Sequence, residues 1–219
     1  MPAKTDTSED LKAQAHAARL KDEVLCADPE TIRLLLTEAR SHNGWTSKPV
    51  PEATLRQLYD LMKWGPTSMN QQPARYIFAA SDAAKRKLSR CVYGGNADKV
   101  LTAPVTAIIT FDLEFWKELP KVFPHEPNVS EFFRGKDDMI FDEAFRNGTL
   151  QGAYFMFAVR ALGLDCGPIS GFDKDKVKQD FLEGTAQEVN FLCCLGYANT
   201  EKLYRRLPRL EFDEVAQVI

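Results

Sequence analysis

The segment from residue 64 to residue 73 constrains the fold most, because neither a helix nor a strand can continue through it. Gly65 and Pro66 end the helical pattern before it, and Pro73 precedes a strand-like run. Its uncharged donors and acceptors suit a flat, neutral ligand better than a phosphate or a metal. They are Thr67, Ser68, Asn70, Gln71 and Gln72. From these residues alone, a ligand-binding loop and a polar connector that caps the next helix remain equal alternatives.

The composition predicts a globular domain and disfavours binding to nucleic acid or to a membrane. The chain has 219 residues, of which 44% are hydrophobic and 27% charged, and its net charge is -3. This charge gives no field that would attract nucleic acid or an anionic membrane. The sequence has no apolar run long enough for a membrane span and its start lacks the apolar core of a signal peptide, so we expect a cytoplasmic protein. We predict one domain over residues 28–219, preceded by a helical extension over residues 1–27.

The cysteines and histidines give no pattern typical of a metal site. The 5 cysteines include no CxxC pair, and the 3 histidines lie far apart without an HExxH motif. An odd number of cysteines in apolar surroundings favours buried free thiols. We therefore predict that no metal is bound and that the cysteines are structural. They are Cys26, Cys91, Cys166, Cys193 and Cys194.

Helical and strand-like patterns alternate along the chain, and residues typical of helix starts and ends mark several boundaries. Asp28 and Pro29 begin one helix, Asp173 caps another, and Gly163 ends the longest helical pattern. The Gly- and Pro-bearing residues 165–172 are predicted to form a turn. Helices are predicted from residue 29 to about 40 and over 51–64, 82–91 and 142–162. Strands are predicted over 75–80, 105–111 and 188–197. An extended basic tail is predicted over 203–210, before a short closing helix.

Residues 112–141 are aromatic and lack a strong period, which is more often typical of a functional loop than of a passive connector. Phe132 and Phe133 are candidates for an aromatic lid over a ligand. Simple packing of these two rings has equal weight.

Four features of the sequence are informative when they are taken together. They are Arg40 at a helix end, the loop over residues 66–73, Asn96 and Lys99 one helical turn apart, and Arg205 and Arg206 in the tail. If Arg40 and Arg206 converge, they can bind a phosphate through charge-assisted hydrogen bonds, although solvated ion pairs are the simpler alternative. The sequence contains no GxGxxG after a strand, no P-loop and no GxSxG elbow. A ligand with one phosphate and one polar planar ring remains, and FMN fits that description.

These residues, in this order, resemble the flavin-binding signature of the nitroreductase family, and the resemblance covers nearly the whole chain after about residue 28. Within the family, the chain looks closest to malonic semialdehyde reductases of uracil catabolism, through residues 41–45, 62–68, 101–107 and 169–173. The family signature is carried by Arg40, Gly65-Pro66-Thr67-Ser68-Met69-Asn70-Gln71-Gln72-Pro73, Asn96-Ala97-Asp98-Lys99, Gly167-Pro168-Ile169-Ser170-Gly171-Phe172 and Arg206-Leu207-Pro208.

The resemblance implies an α+β fold with a central, mostly antiparallel sheet flanked by helices. It also implies a homodimer with two FMN molecules at the subunit interface, in which the C-terminal tail embraces the partner subunit. NADH or NADPH would be the electron donor, with ping-pong kinetics, and a small molecule the acceptor. The acceptor could be malonic semialdehyde, a nitroaromatic compound or a quinone. A flavin carrier or sensor without turnover is the alternative from another functional class.

The resemblance also assigns roles to individual residues. Arg40 with Arg205 or Arg206 would hold the phosphate. His42 and Asn43 could donate to it, although relatives often have further basic residues soon after Arg40, where this chain has Ser41-His42-Asn43-Gly44. Lys99 would stabilise the reduced ring at N1 and O2 and is the candidate catalytic residue. The other predicted cofactor contacts are Pro66, Thr67, Ser68 and Asn70 toward the flavin of the partner subunit, Asn96 toward the ring or ribityl chain, and Pro168, Ile169, Ser170 and Gly171 near N5 and O4.

Overall fold

The computed structural model describes residues 8–25, 28–126 and 128–219, and the chain divides into two compact units, Met1–Ala39 and Arg40–Ile219. The first unit contains helix α1 (Ser8–Leu25) and helix α2 (Pro29–Ile32), which continues as a π-helical turn over Arg33–Thr37. The carboxylate of Asp28 accepts hydrogen bonds from the N–H groups of Glu30 and Thr31, so the predicted N-cap is confirmed. Residues 1–7, 26 and 27 of the predicted extension, including Cys26, lie outside the described residues.

The second unit is built on a four-stranded sheet in the order β1-β2-β4-β3. Its strands are β1 (Ala74–Ala79), β2 (Val105–Asp112), β3 (Asp165–Ile169) and β4 (Gln187–Gly196). Each neighbouring pair is antiparallel, so the predicted α+β architecture is confirmed. β2 is central and buried on both faces, which explains its continuous apolar run.

The prediction of a turn over residues 165–172 was wrong in its first half, because residues 165–169 form strand β3. Pro168 has no N–H to donate, and glycine and proline disfavour strands in general. β3 lies at one edge of the sheet and pairs only with β4, so Pro168 is tolerated there. The turn begins after Ile169.

Helices cover both faces of the sheet. Leu58 of helix α3 and Phe155 of helix α7 pack with Ile109 on one face, whereas Leu88 of helix α4 packs with Ile108 on the other. Neighbouring residues of β2 thus enter opposite cores, as the two-residue period of a strand requires. The helices are α3 (Glu52–Met62), α4 (Asp82–Ser89), α5 (Asn96–Thr102), α6 (Leu119–Val122), α7 (Asp137–Ala161), α8 (Lys174–Phe181) and α9 (Phe212–Val215).

The predicted caps and several predicted boundaries agree with the structure. Asp173 accepts a hydrogen bond from the N–H of Lys176 at the start of α8, and Gly163 follows α7 with φ of 71°. α7 begins at Asp137 and not at residue 142, and the segment before it contains helical turns at Phe115–Glu118, α6 and Val129–Phe132. In the described part of the chain, no helix has the length and apolarity needed to cross a membrane.

Candidate functional site

The polar loop between α3 and β1 has an unusual backbone conformation. A single 3-10 turn, Ser68–Asn70, lies in it, and Met69, Asn70 and Gln72 have φ of 48°, 51° and 45°. Residues other than glycine rarely adopt positive φ, and such conformations persist only where the surroundings enforce them. The loop therefore has one fixed shape.

A buried polar network on α7 enforces that shape. The N–H of Ser68 donates to Oδ1 of Asn147 (2.8 Å), and Nδ2 of Asn147 donates to Oε1 of Gln71 and to Oε2 of Glu143 (3.1 Å each). One turn further along α7, Oε1 of Gln151 accepts from the N–H of Ala74 (2.9 Å). Asn147 and Gln71 are each 1% exposed.

This network was missed in the sequence analysis, which treated α7 only as a core helix. The spacing of Glu143, Asn147 and Gln151, each four residues from the next, is the signal that could have revealed it. Polar side chains at helical spacing on an otherwise apolar helix need buried partners.

Some of the predicted ligand contacts of the loop are used inside the protein. The hydroxyl of Thr67 accepts from the N–H of Gln72 (3.2 Å), and Nδ2 of Asn70 donates to the carbonyl of Val122 (2.8 Å). Pro66 and Ser68 are exposed at the loop surface. The hydroxyl of Thr67 and the amide of Asn70 therefore stabilise the protein itself, whereas Pro66 and Ser68 remain exposed at the surface of the loop.

The structure brings Asn96 and Lys99 together with the turn that follows β3. Asn96 is the first residue of α5, after the cap Gly95, and its Nδ2 donates to the carbonyl of Gly171 (3.2 Å). A Cβ at Gly171 would lie 2.8 Å from that nitrogen, so only glycine allows this approach. Lys99, one turn along α5, is half-buried.

The residues of β3 and its turn differ in what they offer. Pro168 and Ser170 are exposed, whereas the side chain of Ile169 is 3% exposed and belongs to the core. Ile169 can therefore offer a ligand only its backbone groups.

The structure also brings Arg40 to the basic tail. Its Nη2 donates to the carbonyl of Tyr204, which directly precedes Arg205 and Arg206. Arg205 and Arg206 are exposed, and Asn43 is half-buried near the start of this unit. The structure thus brings Arg40 next to the segment that carries Arg205 and Arg206.

His42 is buried, with 9% of its surface exposed, and its Nε2 lies 3.3 Å from Oδ1 of Asp165. Burial lowers the pKa of His42, and the charges of Arg40 and Arg160 lower it further, whereas Asp165 raises it. The net shift of the pKa is downward, and the ring faces the Asp165 carboxylate through Nε2. Asp165 is not among the predicted site residues, because residues 165–172 were predicted to form a turn.

The two candidate lid residues have different environments. Phe133 is fully buried and contacts Phe115 edge-to-face, with ring centroids 5.2 Å apart. Packing, and not a lid, is therefore the role of Phe133. Phe132 is 51% exposed, and Nζ of Lys136 lies 3.8 Å from the centroid of its ring.

Four of the cysteines are buried free thiols, as predicted: Cys91, Cys166, Cys193 and Cys194. Burial raises the pKa of the Cys91 and Cys194 thiols to about 11, so they stay protonated and unreactive at neutral pH. Among the described residues, no group of three or more His, Cys, Asp or Glu side chains has an arrangement that could hold a metal ion.

An open cavity of about 1060 Å³ lies between α3 and β1. Its floor is apolar and includes Leu55, Met62 and Tyr76, and its rim is charged. Gln71 and Gln72 line it, but none of the predicted cofactor-binding residues does. The cavity and the predicted cofactor site are therefore separate features of the surface.

The fold is that of solved nitroreductase structures. A nitroreductase from Exiguobacterium sibiricum, whose crystal structure is a complex with FMN, superposes with a TM-score of 0.77. The match covers 84% of this chain and 95% of that one at 19% identity, which establishes the shared fold.

Sequence comparison identifies the family. The Nitroreductase family matches residues 36–197. A protein of Cupriavidus pinatubonensis is 47% identical over 191 residues (86% of this chain, 97% of the relative), and HadB of Ralstonia pickettii is 49% identical over 186 residues (84% and 95%). Both bear the name "Putative NADH dehydrogenase/NAD(P)H nitroreductase".

The chain therefore belongs to the nitroreductase family. The predicted family, fold and enzyme class are confirmed, and FMN is confirmed as the cofactor at the level of the family.

Proposed function

We propose that this protein is an FMN-dependent NAD(P)H oxidoreductase that reduces a small molecule, with malonic semialdehyde as the acceptor to test first. The observation that carries the proposal is the convergence of signature segments that are far apart in sequence. Arg40 contacts the tail next to Arg205, and Asn96 contacts Gly171. The names of the relatives support NADH or NADPH as the electron donor.

The residues present fit FMN. Arg40, Arg205 and Arg206 supply positive charge for a phosphate, and Asn43 can donate to it. The close approach of Asn96 to Gly171 leaves backbone surface free of side-chain bulk, against which a planar ring can lie. The backbone of Pro168, Ile169, Ser170 and Gly171 would border the reactive edge of that ring.

The chain itself contributes orientation and electrostatics, while bound FMN supplies the hydride chemistry. Lys99 would stabilise negative charge at N1 and O2 of the ring. One site must release the nicotinamide before it admits the acceptor, so ping-pong kinetics are expected. Phe132 is the remaining candidate for an aromatic cover over that site.

The purified protein is expected to be yellow, and anaerobic addition of NADH or NADPH should bleach the flavin absorbance. Steady-state rates with malonic semialdehyde, a nitroaromatic compound and a quinone then define the acceptor. Rapid nitro reduction without turnover of malonic semialdehyde would reject that acceptor and favour the nitroreductase alternative. A flavin spectrum that neither nicotinamide changes would favour a carrier or sensor.

The same anaerobic experiment tests Lys99. Lys99→Ala should slow flavin reduction by about 10-fold to 100-fold, since one charge-assisted interaction contributes about 1.5 to 3 kcal/mol. Lys63→Ala is the control, because Lys63 bonds to Asp60 on α3 and touches none of the site residues. Reduction of the Lys99→Ala variant at the wild-type rate would leave Lys99 as a surface charge.

We propose in addition that the protein is a homodimer whose cofactor sites require both subunits. α7 and the tail expose many large apolar side chains, and apolar side chains exposed in such number favour an interface. The exposed residues are Phe141, Phe145, Leu150, Tyr154 and Phe157 on α7, and Leu207, Leu210, Phe212 and Val215 in the tail. The tail of a partner would embrace the other subunit, and the loop over residues 66–70 would reach the partner's FMN.

The expected molar mass in light scattering is twice the 24.7 kDa of the chain. Removal of residues 207–219 should release monomers and lower the FMN content, because the tail would no longer hold the partner. A monomeric full-length protein that retains FMN would contradict the shared site.

A further inference from the structure

We propose that Asp165 and the buried His42 form a positioning pair that fixes Arg40 and the Arg205–Arg206 segment for the FMN phosphate, without contact between the pair and the phosphate. The inference rests on the proposed function and assigns a role to Asp165, which no sequence motif indicates. It also gives His42 a role different from that of a direct phosphate donor.

Asp165 joins two segments through its two carboxylate oxygens. Oδ1 lies 3.3 Å from Nε2 of His42, and Oδ2 accepts a hydrogen bond from the N–H of Ala198 (2.9 Å). Asp165 itself is the first residue of β3, where it pairs with Gly196 of β4. One side chain on a rigid strand therefore holds both the segment after Arg40 and the segment that leads to the tail.

Backbone hydrogen bonds extend this connection along both segments. The N–H of His42 donates to the carbonyl of Cys166 (3.0 Å), and the N–H of Thr46 donates to the carbonyl of Tyr197 (2.8 Å). The N–H of Asn199 returns a bond to the carbonyl of Gly44 (2.9 Å). Residues 40–46 and 197–204 therefore run side by side.

The far end of the two segments is closed by Arg40, which donates to the carbonyl of Tyr204. Before that point, the side chain of Lys202 lies so close to Gly44 that a Cβ there would be 2.5 Å from its Cδ. A shift of residues 41–44 would therefore move Arg40 and the tail together.

The chemistry of the pair excludes a direct role at a phosphate. Asp165 carries a negative charge, which would repel a phosphate, and the His42 ring is buried with Nε2 occupied by Asp165. Within the described residues, Nδ1 of His42 is buried and has no hydrogen-bond partner. The ring therefore acts through its contact with Asp165.

The charged groups around the pair fit a positioning role as well. The positive charges of Arg40 and Arg160 act on His42 from one side, and the carboxylate of Asp165 acts from the other. Loss of the carboxylate charge would leave the imidazole next to two cations without the group that orients it.

The test compares the affinity of the apoprotein for FMN with its affinity for riboflavin, which differs only in lacking the phosphate. Asp165→Asn should weaken FMN binding about 10-fold or more, because it displaces charge-assisted phosphate contacts, and should change riboflavin binding less than about twofold. Arg40→Ala should show the same pattern and serves as the reference for a direct contact.

Asp112→Asn is the matched control. Asp112 forms a half-buried ion pair with Arg75 (2.9 Å) at the opposite part of the sheet. This variant should bind both ligands as the wild type does, which separates the role of Asp165 from the general effect of removing an ion pair.

Two variants of His42 keep the test decisive if Asp165→Asn fails to fold. Gln places an amide nitrogen near the position of Nε2, so His42→Gln should retain FMN binding, whereas His42→Leu should lose it selectively. An equal loss of FMN and riboflavin affinity, or wild-type FMN affinity in both Asp165→Asn and His42→Leu, would overturn the positioning role. A wild-type apoprotein that binds neither ligand would instead overturn the proposed function and this inference with it.

Discussion

Gly167→Ala is expected to lower the free energy of unfolding by about 3 kcal/mol, at the upper end of the cost of overpacking. A Cβ at Gly167 would lie 2.3 Å from the carbonyl oxygen of His42 and 3.3 Å from the ring of Trp45. The obstacle is backbone that hydrogen bonds hold on both sides, so it cannot move aside as a flexible side chain would. Urea denaturation of the wild type and the variant measures the difference.

Gly95→Ala is the control for this prediction. A Cβ at Gly95 meets nothing within 4 Å, and its φ of -67° is accessible to alanine. A change below about 1 kcal/mol is expected, from the weaker N-cap preference of alanine. If the two variants were equally stable, the contact between β3 and residues 41–45 would not be as close in solution as the structure places it.

Asn147→Leu is expected to lower the free energy of unfolding by a similar amount, about 3 kcal/mol, and to reduce the bound FMN. Leucine has a similar shape but no polar atoms, so the N–H of Ser68 and Oε1 of Gln71 would lose their hydrogen-bond partner, while Nε2 of Gln71 keeps its bond to Glu143. Buried groups without partners carry the full cost of desolvation. Because the loop has three residues at positive φ, it should also relax to another shape once the network is gone.

Denaturation and the ratio of flavin to protein absorbance measure the two effects. Asn190→Leu is the control, since Asn190 donates to the hydroxyl of Thr149 (2.9 Å) at a half-exposed position near the same helix. That variant should change stability by less than about 0.5 kcal/mol. Wild-type flavin content in a destabilised Asn147→Leu protein would show that the network serves stability alone.

Local signals in the sequence predicted the elements well where one residue type has one physical role. Asp28 and Asp173 were predicted as helix caps and accept the expected backbone hydrogen bonds, and Gly163 ends α7 with positive φ. The buried run over residues 105–111 became the central strand. Strand β3 was not predicted, because glycine and proline, here Gly167 and Pro168, are typical of turns and are tolerated in a strand at the edge of a sheet. The edge position of β3 depends on its pairing with residues 187–196.

In the candidate site, too, local motifs were predicted, whereas contacts between distant residues were not. The segments proposed to bind the flavin were selected from their residue types and order, and the structure brings Arg40 to the tail and Asn96 to Gly171. The residues that hold them, Asn147 and Asp165, were not identified. Each acts on backbone from another part of the chain, so neither belongs to a local motif.

Residue types within short windows were enough to recognise the family, the helix caps and the class of cofactor. Contacts between distant parts of the chain were needed to place Phe133 in the core, His42 beside Asp165, and the loop over residues 66–73 against α7. The physical reason is that burial and hydrogen-bond partners are set by contacts between residues far apart in sequence. The polar side chains that fix this site have no periodicity of their own, and their partners exist only once the sheet and α7 have come together.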